Sequence, residues 1–561
     1  MLYVKRISIF FLFISISFCQ AQEPKAIKAG IPPLSGEYPK DLNALHYDVE
    51  IGLGKNANWF EGSVTIRLLA EKDKPQLSLD FTGLYLDDLL INGNKIEYRY
   101  VNGIIKADLY TYKQGETLSV DIRYHGIPDD GLIINKNVHG DPTIFVDNWP
   151  NRTRFWLPSI DHPSDKATVS YTIHTPAEWM VIANGYMISK PIQSASTAIG
   201  PKENRLTWEW DVTVPISTYN MVMGAGKLNV ESLGYAACNK SPASKREDNC
   251  IEVSLWVYPQ DKIKAKDSFR RAVKMVDYFT NTIGPFPFEK LANVQSSTRF
   301  GGMENASAIF YSEKSIAKGR NIEGTVSHEI AHQWFGDSVT EADWNHLWLS
   351  EGFATYFGAL FFEFEDGKNI FQEKMENSRK RIIKSNDTNH PIVGLENKDL
   401  FKLLNSNNYP KGGWVLHMLR GYMGDQLFFD GITKYYEKYK YKTVMTENFQ
   451  AVMEKVKGEN LNWFFDQWVY KPGYPIFTYE EEWNSTNSED ISLIVSITQT
   501  QKNDWPIFNI PTQICWGEKN CKSIRIDKKK QSFEFKFDTK PQKIGMFDPK
   551  GWILKEISYK K

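Results

Sequence analysis

The chain has 561 residues, with 67 basic side chains against 68 acidic ones. That length exceeds one hydrophobic core and sets an expectation of about three to four domains, and the balanced charge excludes the basic field that would attract nucleic acid. Aromatic residues make up 14% of the chain, which suits broad β-sheet surfaces and a substrate cleft, although a bulky core accounts for them equally well.

The N-terminus reads as a targeting segment. Lys5 and Arg6 supply positive charge, Ile7 to Phe18 is a mostly apolar stretch of twelve, and Cys19-Gln20-Ala21 offers small residues for cleavage before Gln22. Twelve residues are too few to span a bilayer. Cys19 is a candidate for lipidation, but bulky Phe18 precedes it where a lipoprotein signal wants a small residue. Residues 1–21 are therefore expected to be a signal peptide, and the mature protein to be exported, periplasmic or secreted, with no transmembrane segment.

From about Leu45 to Tyr219 the pattern is strand-like. Val64, Ile66 and Leu68 alternate with Thr65 and Arg67, and Ile91-Asn92-Gly93-Asn94 reads as a hairpin turn. Past the leader, four cysteines fall into two close pairs, Cys238 with Cys250 and Cys515 with Cys521. In an exported chain they predict two local disulfides. A four-thiolate metal site would need both pairs to meet, and the polar turns between them suit stapled hairpins better.

Near residue 260 the texture changes. Phe269, Ala272, Val273, Val276 and Phe279 fall on one helix face, ended by Gly284-Pro285. From there to about 470 the sequence reads as mostly helical. In it lies His328-Glu329-Ile330-Ala331-His332, on a helix marked by Ile322, Val326, Ile330 and Ala331, with Gly336 as the stop. Histidines at i and i+4 share a helix face and can reach one metal ion, with Glu329 beside them to handle a proton.

Zinc needs a third protein ligand. After His332 come eighteen residues and then Glu351, at the start of a helix read from Phe353, Tyr356, Phe357, Leu360 and Phe361. Packed antiparallel on the first helix, it would aim Glu351 at the histidine pair. His346 is the rival ligand. Glu351 is preferred because an apolar helix seldom spends an acid at its start without a partner, although the helix dipole alone favours one there. Two histidines, a glutamate and a water form a hydrolytic arrangement, with one Zn2+ per chain.

After Gly473-Tyr474-Pro475 strands return. Ile491, Leu493, Val495 and Ile497 make one face, and the Lys528-Lys529-Lys530 run reads as a solvated strand end or turn. The expected organisation is multidomain α+β: an N-terminal β-sheet domain (22–230), a mainly helical, thermolysin-like zinc catalytic domain (231–475), and a small C-terminal β-sandwich (476–561).

Three motifs in order carry a resemblance. Gly301-Gly302-Met303-Glu304-Asn305, the zinc pattern through Glu351, and Tyr409-Pro410-Lys411-Gly412 closely resemble the gluzincin aminopeptidases, the family of aminopeptidase N and leukotriene hydrolase. Arg154-Phe155-Trp156-Leu157-Pro158-Ser159-Ile160-Asp161-His162-Pro163 is similar to a signature of that family's β-domain, and Trp463 to Pro475 to the end of its catalytic domain. The resemblance implies a zinc aminopeptidase acting on peptides with a free N-terminus. In it Glu329 is general base, Tyr409 donates to the oxyanion, and Glu304 holds the substrate's α-ammonium.

The residues themselves allow a blander account. Gly301 and Gly302 form either a tight turn or a place where backbone, running on through Met303, approaches a bound peptide as an edge strand. Tyr409 alone would be a packing tyrosine. Relatives carry a second amine anchor, a Glu or Gln, where this chain has Trp149; Asp147, Asn148 and Asn151 are nearby substitutes. The large C-terminal helical domain of longer relatives is not expected here, which would leave a more open site. Two alternatives remain: an endopeptidase of thermolysin type, and a non-catalytic peptide-binding relative, against which the complete ligand set argues. Preferred N-terminal residue, oligomeric state and epoxide hydrolysis have no signature.

Overall fold

The computed structural model of the chain describes residues 41–54, 60–194, 205–394, 399–487, 490–517, 520–541 and 543–560. The expected leader, its cleavage site before Gln22 and Cys19 lie outside the described residues.

Alternation builds the first part. Along Phe60–Ala70, Val64, Ile66 and Leu68 are buried while Arg67 is exposed, which places one face of the strand in a core. This strand pairs with Leu42–Leu53 and Thr117–Gly126 in a nine-stranded sheet. The turn at Asn92-Gly93 has positive φ at both residues (48° and 75°), the requirement of a tight hairpin that Asn-Gly meets cheaply. A second sheet runs Met180–Ala183, Met223–Gly226, Pro142–Val146, Leu132–Lys136. Arg154 fixes the run up to Asp161, its guanidinium 3.0 Å from Asp80 and 2.8 Å from Asp161.

The middle of the chain, from about 260 to 470, is mostly helical as expected, with strands at its start that the sequence reading lacked. A five-stranded sheet runs through its start, in the order Asn229–Ala236, Ile251–Val257, Leu291–Ser296, Ala308–Ser312, Gly302–Met303. Every residue of Leu291–Ser296 is buried. Its polar members are satisfied inside: Asn293 donates to the Ser254 carbonyl and accepts from the Tyr311 hydroxyl, and Gln295 accepts from the Tyr258 amide. Both sheet faces are covered, so no alternation was there to be read. Gly302–Met303 is the edge strand, paired on one side with Tyr311 and Phe310.

The helices around the site are, in chain order, α1 (Lys262–Phe269), α2 (Ala272–Thr282), α3 (Glu313–Ala317), α4 (Glu323–His332), α5 (Trp348–Asp366), α6 (Lys368–Lys384) and α7 (Gly412–Met423). The single helix face expected through Phe269 and Phe279 is broken. Arg271 leaves helical dihedrals (φ −103°, ψ 6°), and its guanidinium is held by Glu323 at 2.6 Å and Asp366 at 2.9 Å. Helices α4 and α5 run antiparallel: Ser350 meets His332, and eight residues on, Gly358 meets Ser327. A Cβ on Gly358 would sit 3.2 Å from the His328 backbone, so glycine permits this close approach. Phe353 and Phe357 pack on Phe335 beneath the pair.

The β-rich first part is tied to the segments beside the metal motif. The Tyr219 hydroxyl donates to the Gly336 carbonyl (3.1 Å), the Lys166 ammonium to the carbonyls of Asp337 and Ser338 (2.8 Å each), and the Asn184 amide to Ala306 (2.6 Å). At the C-terminal end a four-stranded and a three-stranded sheet face each other as the expected small β-sandwich. Leu493, Val495 and Ile497 are buried between them, and Trp516 of one sheet packs on Phe535 and Phe537 of the other. Both expected disulfides are formed. Cys238–Cys250 links the ends of two neighbouring strands, and Cys515–Cys521 staples a hairpin. Lys528, Lys529 and Lys530 are exposed at a strand start. Among the described residues no helix is long and apolar enough to cross a membrane.

Candidate active site

Helix α4 presents both histidines on one face, with imidazole centroids 4.6 Å apart. Oε2 of Glu351, from the first turn of α5, lies 3.2 Å from Nε2 of each, and the two nitrogens are 3.1 Å apart. Nδ1 of His332 is 3.0 Å from the Phe335 carbonyl, to which it donates; that fixes the tautomer and turns the Nε2 lone pair inward. Gly336 (φ 119°) makes the turn that brings this carbonyl round. A Cβ there would stand 2.4 Å from Ser350 Oγ and 3.0 Å from His332 Nδ1.

Three such ligand atoms so close repel one another unless a proton or a metal cation lies among them. Ligand atoms of a tetrahedral zinc with bonds of about 2.0–2.1 Å stand about 3.3 Å apart, so the spacing here fits. The charge balance fits as well. Glu304, Glu329 and Glu351 share the site, and Glu304, Glu329 and His332 form a second group whose ligand atoms lie within 4.8 Å of one another. Burial pushes the His328 imidazole down, toward the neutral form a metal needs. Against the effect of burial, His332 is held well above its ordinary value by Glu351 and Glu304, and Glu351 below the carboxylate range by His332 and His328.

Glu329 is buried on the cleft side of α4, and burial raises its carboxyl well above the usual range. Gly302 is what admits it: a Cβ on Gly302 would meet Glu329 Oε1 at 2.2 Å and its Cδ at 2.5 Å. The glycine pair therefore has a sharper reason than a tight turn. Gly301 has open space around it, and Met303 is buried. Glu304 is 7% exposed, and burial pushes its carboxyl up to about 7. Its backbone carbonyl accepts from Gln333 (2.6 Å), but among the described residues no donor other than its own amide reaches its side chain.

Tyr409 sits in a π-helical turn, Asn407–Lys411, at the head of α7. Pro410 in that turn has no amide hydrogen to donate, which suits the irregular ladder. Gly352 of α5 and Gly412 meet almost backbone to backbone, since a Cβ on Gly352 would lie 2.9 Å from Gly412 Cα. The approach seats the tyrosine over the ligands: its ring lies parallel to His328 at 6.0 Å, and its hydroxyl donates to Glu351 Oε1 at 2.7 Å. Burial keeps the phenol protonated.

His346, the rival ligand, is turned away and bonded to Thr446 Oγ1 at 2.8 Å. The cavity beside the ligands, about 270 Å³, is walled by Trp149, Phe300 and Leu404 on one side and holds Glu304 on the other. Trp149 packs edge-on against Phe300, Trp344 and Phe401. None of the three suggested substitutes for the second anchor lines this cavity. Asp147 is paired with Arg152 at 3.0 Å and accepts from Thr298, and the Asn148 amide is spent on Thr218, Met221 and Trp156. Sequence reasoning missed the supports of His332, namely Ser350 and the Phe335 carbonyl. Gly336, read merely as a helix stop, was their signal.

Two family descriptions match the chain: Peptidase M1 N-terminal domain over residues 43–220, and Peptidase family M1 domain over residues 268–468. "Probable aminopeptidase 1" of Sulfurisphaera tokodaii is 26% identical over 510 residues, which are 87% of this chain and 60% of that protein. "Tricorn protease-interacting factor F2" of Thermoplasma acidophilum is 27% identical over 456 residues, 78% of this chain and 54% of that protein. The chain thus spans less than two thirds of the length of these relatives. The crystal structure of an M1 zinc metallopeptidase from Deinococcus radiodurans shares the fold, with a TM-score of 0.66 at 23% identity over 78% of this chain and 95% of that one.

Proposed function

We propose that this chain, which belongs to peptidase family M1, is a zinc-dependent aminopeptidase that releases N-terminal residues from peptides. The observation that carries the reading is Glu304: a buried carboxylate with, among the described residues, no donor from another residue, facing the cavity that holds the ligand triad. Such a group is satisfied by a substrate's α-ammonium and repels a continuing chain.

His328, His332 and Glu351 would hold the zinc ion, which when bound supplies a water of pKa about 7 and polarises the scissile carbonyl. Glu329, the buried acid with a raised pKa, takes the attacking water's proton and passes it to the leaving amine. Tyr409 turns its hydroxyl from Glu351 Oε1 to the oxyanion of the tetrahedral carbon. The free edge of Gly302–Met303, beside Gly301, pairs with the peptide backbone as an added strand. Trp149, Phe300 and Leu404 favour an apolar first residue.

The division at about residues 230 and 475 serves this scheme: the β domain supplies Trp149, the helical domain the chemistry, and the sandwich a buttress. The two disulfides support the proposal that the protein works in an exported, oxidising compartment. A panel of aminoacyl aryl-amides with and without a chelator tests the reading. Chelator-sensitive release, strongest for apolar residues and absent from N-acetylated substrates, is expected. Cleavage of N-acetylated peptides at a comparable rate points instead to a thermolysin-type endopeptidase.

A further inference from the structure

Beyond the ligands, on the side away from Glu304, lies a second cavity of about 380 Å³. It shares Thr325, His328 and Tyr409 with the first cavity, so the two adjoin at these residues. A peptide whose ammonium rests on Glu304 sends the rest of its chain past the ligands and into this second space.

Its walls are largely apolar, and the charged side chains among them carry one sign. Helix α6 contributes Lys374, Ser378 and Arg381, which recur at helical spacing along one face. The two cations are seven residues, or about 10.5 Å, apart along the helix. Among the described residues no acidic side chain lines the space. Among the described residues neither cation has an ion-pair partner. Lys374 lies 3.8 Å over the Phe362 ring, and the nearby acids Asp366 and Glu323 are occupied by Arg271. Among the described residues the first cavity holds three glutamates and no Lys or Arg. The adjoining cavities are therefore acidic at one end and basic at the other, matching a short zwitterionic peptide laid along them.

We propose that Lys374 and Arg381 form a carboxylate-binding subsite on the leaving-group side of the cleft, and that the preferred substrates are short peptides whose terminal carboxylate, or an acidic side chain just past the cut bond, reaches it. This rests on the aminopeptidase reading, since it takes the chain direction from Glu304. Lys374 is half-buried and Arg381 exposed, so the preference belongs at the low end for charge-assisted bonds, about tenfold.

The test compares kcat/KM for leucine release from Leu-Ala, Leu-Ala-Ala and Leu-Ala-Ala-Ala, each as free acid and as C-terminal amide. Leu-Glu-Ala-amide against Leu-Gln-Ala-amide distinguishes an acidic side chain from a chain terminus. Because acid and amide are compared on the same enzyme, any loss of folded protein cancels. The wild type should favour the acid about tenfold at one length of the ladder or in the side-chain pair. That ratio should fall toward one in Lys374→Ala and Arg381→Ala, and below one in Arg381→Glu. A wild-type ratio near one in every pair overturns this inference and leaves the aminopeptidase reading standing, and a ratio unmoved in all three variants overturns the assignment to these residues. No leucine release from any peptide overturns both.

Discussion

Tyr409 and Glu351 are joined by a hydrogen bond of 2.7 Å, phenol to Oε1, while Oε2 of the same carboxylate faces both histidines at 3.2 Å. One carboxylate thus orients both the expected metal ligands and the expected oxyanion donor. The geometry separates the two roles, because the tyrosine touches no histidine nitrogen. Tyr409→Phe should therefore keep full zinc and lose about 10²–10³ in kcat with little change in KM. Elemental analysis beside steady-state kinetics checks it, and a wild-type kcat would remove Tyr409 from the chemistry.

Metal content tests the ligand triad directly. Wild type should hold one zinc per chain, and His328→Ala should lose most of it, since two donors seldom hold zinc against a chelator. The stability of α4 should change little, because the His328 side chain is partly exposed to the cleft. Full occupancy in the variant would move the site elsewhere. The second acid-rich group around His332, Glu304 and Glu329 would then be the place to look.

Gly302 offers a steric test of Glu329. An added Cβ would stand 2.2 Å from Oε1, so Gly302→Ala must displace the carboxylate from its place beside the ligands. Zinc should remain, since no ligand is touched, and kcat should fall by about 10²–10⁴, the usual weight of a general base. An active Gly302→Ala enzyme would mean that Glu329 is not held where the reaction needs it.

Much of this site was legible because it rests on local spacing. His328 and His332 share a face at i and i+4 whatever surrounds the helix, and Asn92-Gly93 turns because few other pairs accept two positive φ values. What was not legible depends on distant partners. Leu291–Ser296 is a buried strand whose Asn293 and Gln295 look like surface residues until Ser254, Tyr258 and Tyr311 satisfy them. The break between α1 and α2 falls at Arg271, whose partners Glu323 and Asp366 lie 52 and 95 residues away. Lys374 and Arg381 carry no local signal, since nothing near them in sequence says that a cavity lies beside them.

Asp165, outside the candidate ligand group, gives a pH test. It is buried, its main contact is the Ala44 amide at 3.3 Å, and burial pushes its carboxyl up to about 7 from about 3.9 in an unfolded chain. A raised carboxyl favours the protonated folded form. Its contribution is thus fully present below about pH 4 and is lost as pH rises through about 7, with about 1.4 kcal/mol forfeited for each pH unit between those two values. Asp165→Asn keeps an acceptor for Ala44 and removes the charge. It should raise Tm by several degrees at pH 8 and leave it unchanged near pH 4. Equal Tm values at both pH settings would show that the charge is already compensated.

The hardest test falls on what makes the cleft count from an N-terminus. Zinc, a base and an oxyanion donor cut any peptide bond that reaches them, so the restriction must come from the closed end. Relatives are expected to share the ammonium between two anchors. Here Trp149 occupies the second position, Asp147 is committed to Arg152, and Asn148 to Thr218, Met221 and Trp156. On the proposed reading Glu304 would then hold the ammonium without that second anchor. Losing one charged partner costs about 1.5–3 kcal/mol, or roughly 10- to 150-fold in kcat/KM, and a sole anchor belongs at the upper end. Glu304→Gln should therefore lose about 100-fold on a free peptide while keeping its zinc. On the N-acetylated form of that peptide the variant should lose far less, so the gap between free and blocked substrates narrows. A variant that loses both activities in equal proportion would show that Glu304 supports the site without reading the terminus.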